Sequence, residues 1–186
     1  MPLQETILER RTMRDYGSEP LDDATIRDLI RAARQGPGTA PPHRWACTVI
    51  RDAAALARIS REAKAHMLAS LRTSPHSAHY QSLLGDPAFD IFYRAPVLLV
   101  ISATTRSPWN VEDCTIAAEN LMLAASEAGL GACWIGFAQG FIGTAEGKAA
   151  LGVPADWVPV APIIVGRADN AALPLQRKPP ELCWIG

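Results

Sequence analysis

The stretch from Trp109 to Phe137, WNVEDCTIAAENLMLAASEAGLGACWIGF, restricts the fold more than any other part of the chain. From Cys114 to Ala128 nearly every residue is apolar or small, with Glu119, Asn120 and Glu127 as the exceptions. A helix of that composition is hydrophobic on most of its sides. It is too short to cross a membrane and carries a glutamate in its middle, which leaves a core helix or a helix at a subunit interface. Asn110 is placed to cap its start, with Glu112 and Asp113 favouring the positive end. Gly129, which can take positive φ, stops it, and Ala132 to Ile135 then reads as a short buried strand closed by Gly136. A buried helix, a glycine turn and a buried strand recur in many proteins that layer helices on a sheet, and alone they say only that this is core.

Around this stretch the chain alternates helical and strand patterns. Residues 3 to 9 suit a short helix that leads into Arg10-Arg11-Thr12-Met13-Arg14. Guanidinium groups, a hydroxyl and loop amides can clamp a phosphate, although a solvated basic turn has the same composition. Residues 22 to 35 form the clearest amphipathic helix, stopped by Gly36-Pro37. The stiff loop GPGTAPPHRW follows, either a presenter of backbone groups to a ligand or a plain connector to a strand at Ala46 to Ile50. Ala53 to Leu71 reads as a second amphipathic helix with Arg58, Arg61, Glu62 and Lys64 facing outward. The stretch from Thr73 to Asp90 lacks periodicity and reads as a loop or short-helix excursion of the kind that often covers a ligand. Ala95 to Ala103 is a continuous apolar strand covered on both faces, and Thr144 to Leu151 a short helix. Val158 to Gly166 is another buried strand, whose prolines suggest a strand end or an edge. The tail carries Arg177 and Trp184, and the indole needs cover, for which a partner subunit is one source.

Bulk properties remove several function classes. The 186 residues suit one domain, 1–186, with a sizeable core, and a formal net charge of -1 argues against bulk attraction to nucleic acid or anionic membrane. Cys47, Cys114, Cys133 and Cys183 stand far apart with no metal-type spacing, so reduced and mostly buried thiols are expected. His76 and His79 lack a third ligand at matching spacing, so no metal site is expected. Neither a leader nor a membrane-length apolar run is evident, which makes a cytoplasmic location the expectation.

Three separated motifs resemble one family, the FMN-dependent nitroreductases. ERRTMRDY is similar to its opening R-R-S-x-R-x-[FY] element, GPGTAPPHRW to P-S-x-x-N-x-Q-P-W, and GLGACWIG to G-L-G-[ST]-C-W-I-G. A V-G-R with a later arginine also fits, and the pieces follow in the right order over nearly the whole chain. The resemblance implies an α+β fold, with a mixed and mostly antiparallel sheet wrapped by helices. It also implies an intertwined homodimer with two FMN sites at the interface and the helix near 111–128 as the dimer core. On this basis Arg10, Arg11, Thr12 and Arg14 would hold the FMN phosphate and ribityl chain together with Arg177. Pro37, Gly38 and Thr39 would lie against the flavin of the other subunit, and Ile135, Gly136 and Phe137 near its N5.

The implied activity is transfer of reducing equivalents from NADH or NADPH to nitroaromatics, quinones or similar acceptors, by a ping-pong scheme with no obligatory acid or base side chain. Three departures mark this chain. Pro41 stands for the family's loop Asn, His43 and Arg44 for its Gln and Pro, and Phe137 for a second Gly, where the phenyl ring would narrow or line the pocket. Two rivals stand beside this reading: a specialised relative that uses reduced flavin on one metabolite or with oxygen, and a flavin-binding protein without useful reductase activity, for which the Pro41 and His43 replacements are the best support.

Overall fold

A computed structural model describes residues 2–38, 44–71, 78–170 and 177–186. Among them the order is α1 (Leu3–Glu9), α2 (Asp23–Ala33), β1 (Trp45–Ile50), α3 (Ala53–Leu71), α4 (Ala78–Gly85), β2 (Val97–Ala103) and α5 (Asn110–Glu127). The chain continues through β3 (Gly131–Trp134), α6 (Gly136–Ile142), α7 (Ala145–Leu151) and β4 (Val158–Gly166). The strands form one sheet in the order β1-β2-β4-β3, and each neighbouring pair is antiparallel. The fold is therefore α+β. Among the described residues the only parallel pairing is an isolated bridge from Thr12 to Ala132, so the expected mixed character of the sheet reduces to that bridge.

Every residue of β2 is buried, because helices cover both faces of the sheet. Side chains alternate across a strand, so Val97, Leu99 and Ile101 join the core under α2 and α5, while Leu98 and Val100 join the core under α3 and α6. The result is three layers, with a hydrophobic core on each side of the sheet.

β4 corrects the expectation drawn from its prolines, for it lies inside the sheet between β2 and β3. Pro159 sits at the register shift opposite Ile101 and Ser102. Pro162 lies one step beyond the end of β3, where its carbonyl accepts from the Ile135 N–H at 2.8 Å. In an antiparallel ladder the N–H and C=O of one residue face the same neighbour, so the N–H that proline lacks would have gone to the Ile135 carbonyl. That carbonyl instead accepts from the Ala138 N–H at 3.1 Å and opens α6. Gly136 and Phe137 thus begin a helix rather than continue the strand, which ends at Trp134.

α5 buries one stripe, Cys114, Ala117, Ala118, Leu121, Met122 and Ala125, against α2 and the sheet. Its other sides are more open within one chain than the composition suggests, with Val111 60% exposed. Asn110 does not cap it. The cap position is Trp109, without a side-chain bond, and the Asn110 amide donates to the Thr105 carbonyl of the preceding turn at 2.8 Å. The exit is as expected: Gly129 has φ 70, and the Leu130 N–H closes on the Ala125 carbonyl at 2.8 Å. α2 starts on Asp22, whose carboxylate accepts from the Thr25 N–H at 2.6 Å.

Candidate active site

The C-terminal half of α3, helix α4 and the junction of β3 with α6 enclose a cavity of about 470 Å³. Met67 and Leu71 come from α3, Tyr80 from α4, and Trp134, Ile135 and Phe137 from the junction. Among the described residues Arg14 is the one cation in this lining, and no carboxylate or imidazole joins it. The cavity can therefore hold a flat apolar body and meet one electron-rich edge.

The segment after α1 brings Arg14 to this place. It runs beside β3, with the Met13 N–H donating to the Ala132 carbonyl at 3.2 Å and Tyr16 bridging to Ala168 beyond β4. The buried Tyr16 hydroxyl donates back to the Met13 carbonyl at 2.7 Å, and burial pushes its pKa upward. Gly131 permits the approach, since a Cβ there would stand 2.7 Å from the Met13 Cβ. Arg14 then lies 5.9 Å from the Tyr93 ring centroid and reaches Cys133. Burial pushes the Cys133 thiol up, and the Arg14 charge and hydrogen bond oppose that shift. The Tyr93 phenol is likewise raised by burial and opposed by Arg14. Neither group is set up as a nucleophile or base near neutral pH.

Tyr93 belongs to a strained turn. Tyr93 and Arg94 have φ 51 and 59, a region that bulky residues rarely occupy. The Asp90 carboxylate holds them by accepting from the Phe92 and Arg94 N–H groups, each at 3.0 Å. From this turn Phe89 meets Phe137 and Tyr93 edge-on, while Tyr80 meets Phe137 at 6.0 Å between centroids.

Of the residues expected at a site, the structure brings together Arg14, Ile135, Gly136 and Phe137. Phe137 lines the cavity, the outcome expected of its departure from glycine. Arg10 and Arg11 line a second cavity of about 480 Å³ between α1, α5 and the ends of β3 and β4. Arg10 is paired with Glu119 at 3.5 Å, and Arg11 donates to the carbonyls of Leu8 and Arg10. The four-residue step from Arg10 to Arg14 spans up to about 13 Å in an extended chain, enough for the two to enter different cavities. Thr12 is exposed and its backbone makes the bridge to Ala132. Pro37 and Gly38 border a separate small recess beside Trp45 and α5, and Arg177 is exposed in the tail. Thr39, Pro41, His43 and His76 lie outside the described residues.

Several lining residues carried no signal in the sequence. Met67 and Leu71 had the spacing of ordinary core, and nothing in the run before β2 marked Tyr93. Tyr80 was foreshadowed only by the length of its excursion. His79 is exposed against the Tyr80 ring, and no group of three or more His, Cys, Asp or Glu could hold a metal among the described residues. No described helix is long and apolar enough to cross a membrane.

Comparisons with known proteins bear on the family and the fold. A "Putative NADH dehydrogenase/NAD(P)H nitroreductase" of Methanothermobacter thermautotrophicus is 29% identical over 141 residues, covering 73% of this chain and 61% of that protein. The chain thus matches less than two thirds of that relative's length. A nitrobenzene nitroreductase of Ectopseudomonas oleovorans is 26% identical, over 91% of this chain and 88% of its own. In fold, the chain matches a crystal structure of a nitroreductase with bound FMN from Bacteroides fragilis. The TM-score is 0.82 at 23% identity, covering 100% of this chain and 98% of that one. The Nitroreductase family model matches residues 7–167, from α1 through β4 to the start of the tail, and the chain belongs to the nitroreductase family.

Proposed function

We propose that this family member is an FMN-dependent oxidoreductase that takes reducing equivalents from NADH or NADPH and passes them to nitroaromatics, quinones or similar acceptors in a ping-pong scheme. The observation that carries the reading is the cavity in which aromatic and aliphatic walls stand beside one cation among the described residues, Arg14. Its volume lies within the roughly 300–1,000 Å³ typical of cofactor and small-molecule sites. The residues fit a flavin ring, since the walls are largely apolar and the one charge among the described lining residues is positive. FMN, when bound, supplies the two-electron transfer between nicotinamide and acceptor. Arg14 would face the polar edge of the ring, and Ile135, Gly136 and Phe137 would flank its reactive part. Arg10, Arg11, Thr12 and Arg177 would hold the ribityl phosphate, with Pro37, Gly38 and Thr39 reaching the flavin of a second subunit. A homodimer is supported by Leu3, Leu8, Trp109, Trp184 and Ile185, all more than half exposed in the single chain.

The test is a visible spectrum of the purified protein followed by NADH or NADPH under nitrogen. A flavin band that bleaches supports the reading, and a protein that stays colourless after incubation with FMN overturns it. A second reading, a specialised relative acting on one metabolite, is favoured by Phe137, which lines the cavity with Tyr80 and is backed by the Phe89 ring. Bleaching without steady turnover of a quinone would select it.

A further inference from the structure

Lys64 is buried in α3, contrary to the outward position its helical pattern suggests, and it has no carboxylate within ion-pair distance among the described residues. Its ammonium donates to the carbonyls of Asp86 and Phe89, each at 2.6 Å. One helical turn earlier, the buried Ser60 hydroxyl accepts from the Ile91 N–H at 3.2 Å. Residues four apart share a helix face, so α3 grips one short segment at three backbone groups. A buried ammonium whose hydrogen bonds go to carbonyls, with the Phe89 ring centroid 5.9 Å away, is costly to desolvate, and a methionine would fill similar space without that cost. What the lysine adds is a fixed path for the turn that immediately follows, the one that holds Tyr93 and Arg94 at positive φ. That turn sends Phe89 against Phe137 and Tyr93 beneath Arg14.

We propose that Lys64 is a specificity-determining positioning residue: by holding the Asp86 and Phe89 carbonyls it sets where Tyr93 stands in the cavity lining and where Phe89 stands behind Phe137, and so the width of the cavity on the acceptor's side. The inference rests on the functional reading above. Lys64 touches no reacting atom. Left-handed geometry at Tyr93 is strained and persists only where the surroundings over-determine it. Lys64, Ser60 and Asp90 are those surroundings. When the ammonium is lost the turn relaxes, and acceptors wide enough to touch Tyr93 and Phe137, the ring that Phe89 backs, register the change while narrow ones do not.

The experiment compares FMN-loaded wild type with Lys64→Met, Lys64→Arg and the milder Ser60→Ala. In Lys64→Met the amides of Ile91, Phe92 and Arg94 exchange about tenfold to hundredfold faster, the ratio expected from losing a charge-assisted bond, while β2 amides are unchanged. KM for menadione, with two fused rings, shifts by about tenfold, the scale of a displaced apolar contact, while that for nitrobenzene stays within about twofold. Ser60→Ala gives the same pattern weakened, and Lys64→Arg, which keeps a cationic donor, moves both readouts back toward wild type. Unchanged exchange at 91–94 overturns the proposal. So does equal acceleration of all core amides with parallel loss on both acceptors in Lys64→Met and Ser60→Ala, because that marks a merely structural lysine. A wild type that turns over neither acceptor defeats the functional reading alone, and the exchange arm then decides whether Lys64 governs the turn.

Discussion

Replacing Phe137 by alanine tests the aromatic wall directly. The ring is half-buried, with its edge contacts to Tyr80 at 6.0 Å and Phe89 at 6.5 Å. Truncating a fully buried phenylalanine costs about 3–5 kcal/mol, and one side of this ring already faces the cavity, so only part of that is at stake. The two aromatic contacts contribute about 0.5–1.5 kcal/mol each and overlap with the burial. A loss of about 2 kcal/mol follows, which for a chain of this size lowers Tm by roughly 4–8 °C. Calorimetry on the protein without added nicotinamide reads that loss. The same change widens the cavity beside Gly136, so KM for a two-ring acceptor should fall relative to that for a single-ring one. Phe137→Leu should recover most of the stability and part of the discrimination. An alanine variant with wild-type Tm and an unchanged ratio of KM values would refute the argument, because it would mean that the ring packs against nothing and borders no substrate.

Replacing Arg177 by alanine should weaken FMN binding about tenfold to a hundredfold, the equivalent of roughly 1.5–3 kcal/mol, and leave riboflavin binding unchanged. Titration of apoprotein with both flavins checks this, and equal FMN affinities would make Arg177 a surface charge. Sedimentation at micromolar concentration should show a dimer, and deletion of residues 182–186, which removes the exposed Trp184 and Ile185, should shift it toward monomer. A well-folded monomer that keeps FMN would contradict this. Asp22 caps α2, and its hydrogen bonds to Thr25 hold its pKa below the ordinary carboxylate value. A depressed folded-state pKa stabilises above the unfolded value and is lost as pH falls through the folded one. The Tm difference between wild type and Asp22→Ala should therefore be constant near neutrality and shrink in strongly acid solution, and a gap that widens with acid would be wrong for this linkage.

Much of the fold was legible because local rules and burial agreed. Asp22 capped α2 and Gly129 ended α5 in left-handed geometry, and the unalternating run of β2 was covered on both faces. Misreadings came where a long-range partner decided. Lys64 sits in a helix whose charges otherwise face water, and only the carbonyls of Asp86 and Phe89 explain why it turns in. The prolines of β4 pointed to a strand end or an edge; Pro159 does stand at the start of β4, but Pro162 lies within it, opposite Ile135, where the β3 ladder ends and no donor is needed. At the site, the 133–137 stretch and Arg14 could be read from motif and resemblance. Phe89 and Tyr93 could not, since an aromatic before a strand is ordinary and their placement depends on a turn gripped from α3.

The sheet order also governs when the protein can form. β2 pairs with β1, made before it, and with β4, made long after, so during synthesis one whole edge of an entirely apolar strand waits for its neighbour. At about 5–20 residues per second the ribosome needs roughly 3–11 s to move from Ala103 to Val158. Through that interval the nascent chain carries an open hydrophobic strand edge of the kind that recruits other chains. Protection must come from α3 and α5 folding over β2 from either side, or from a chaperone, until β4 arrives and closes the sheet.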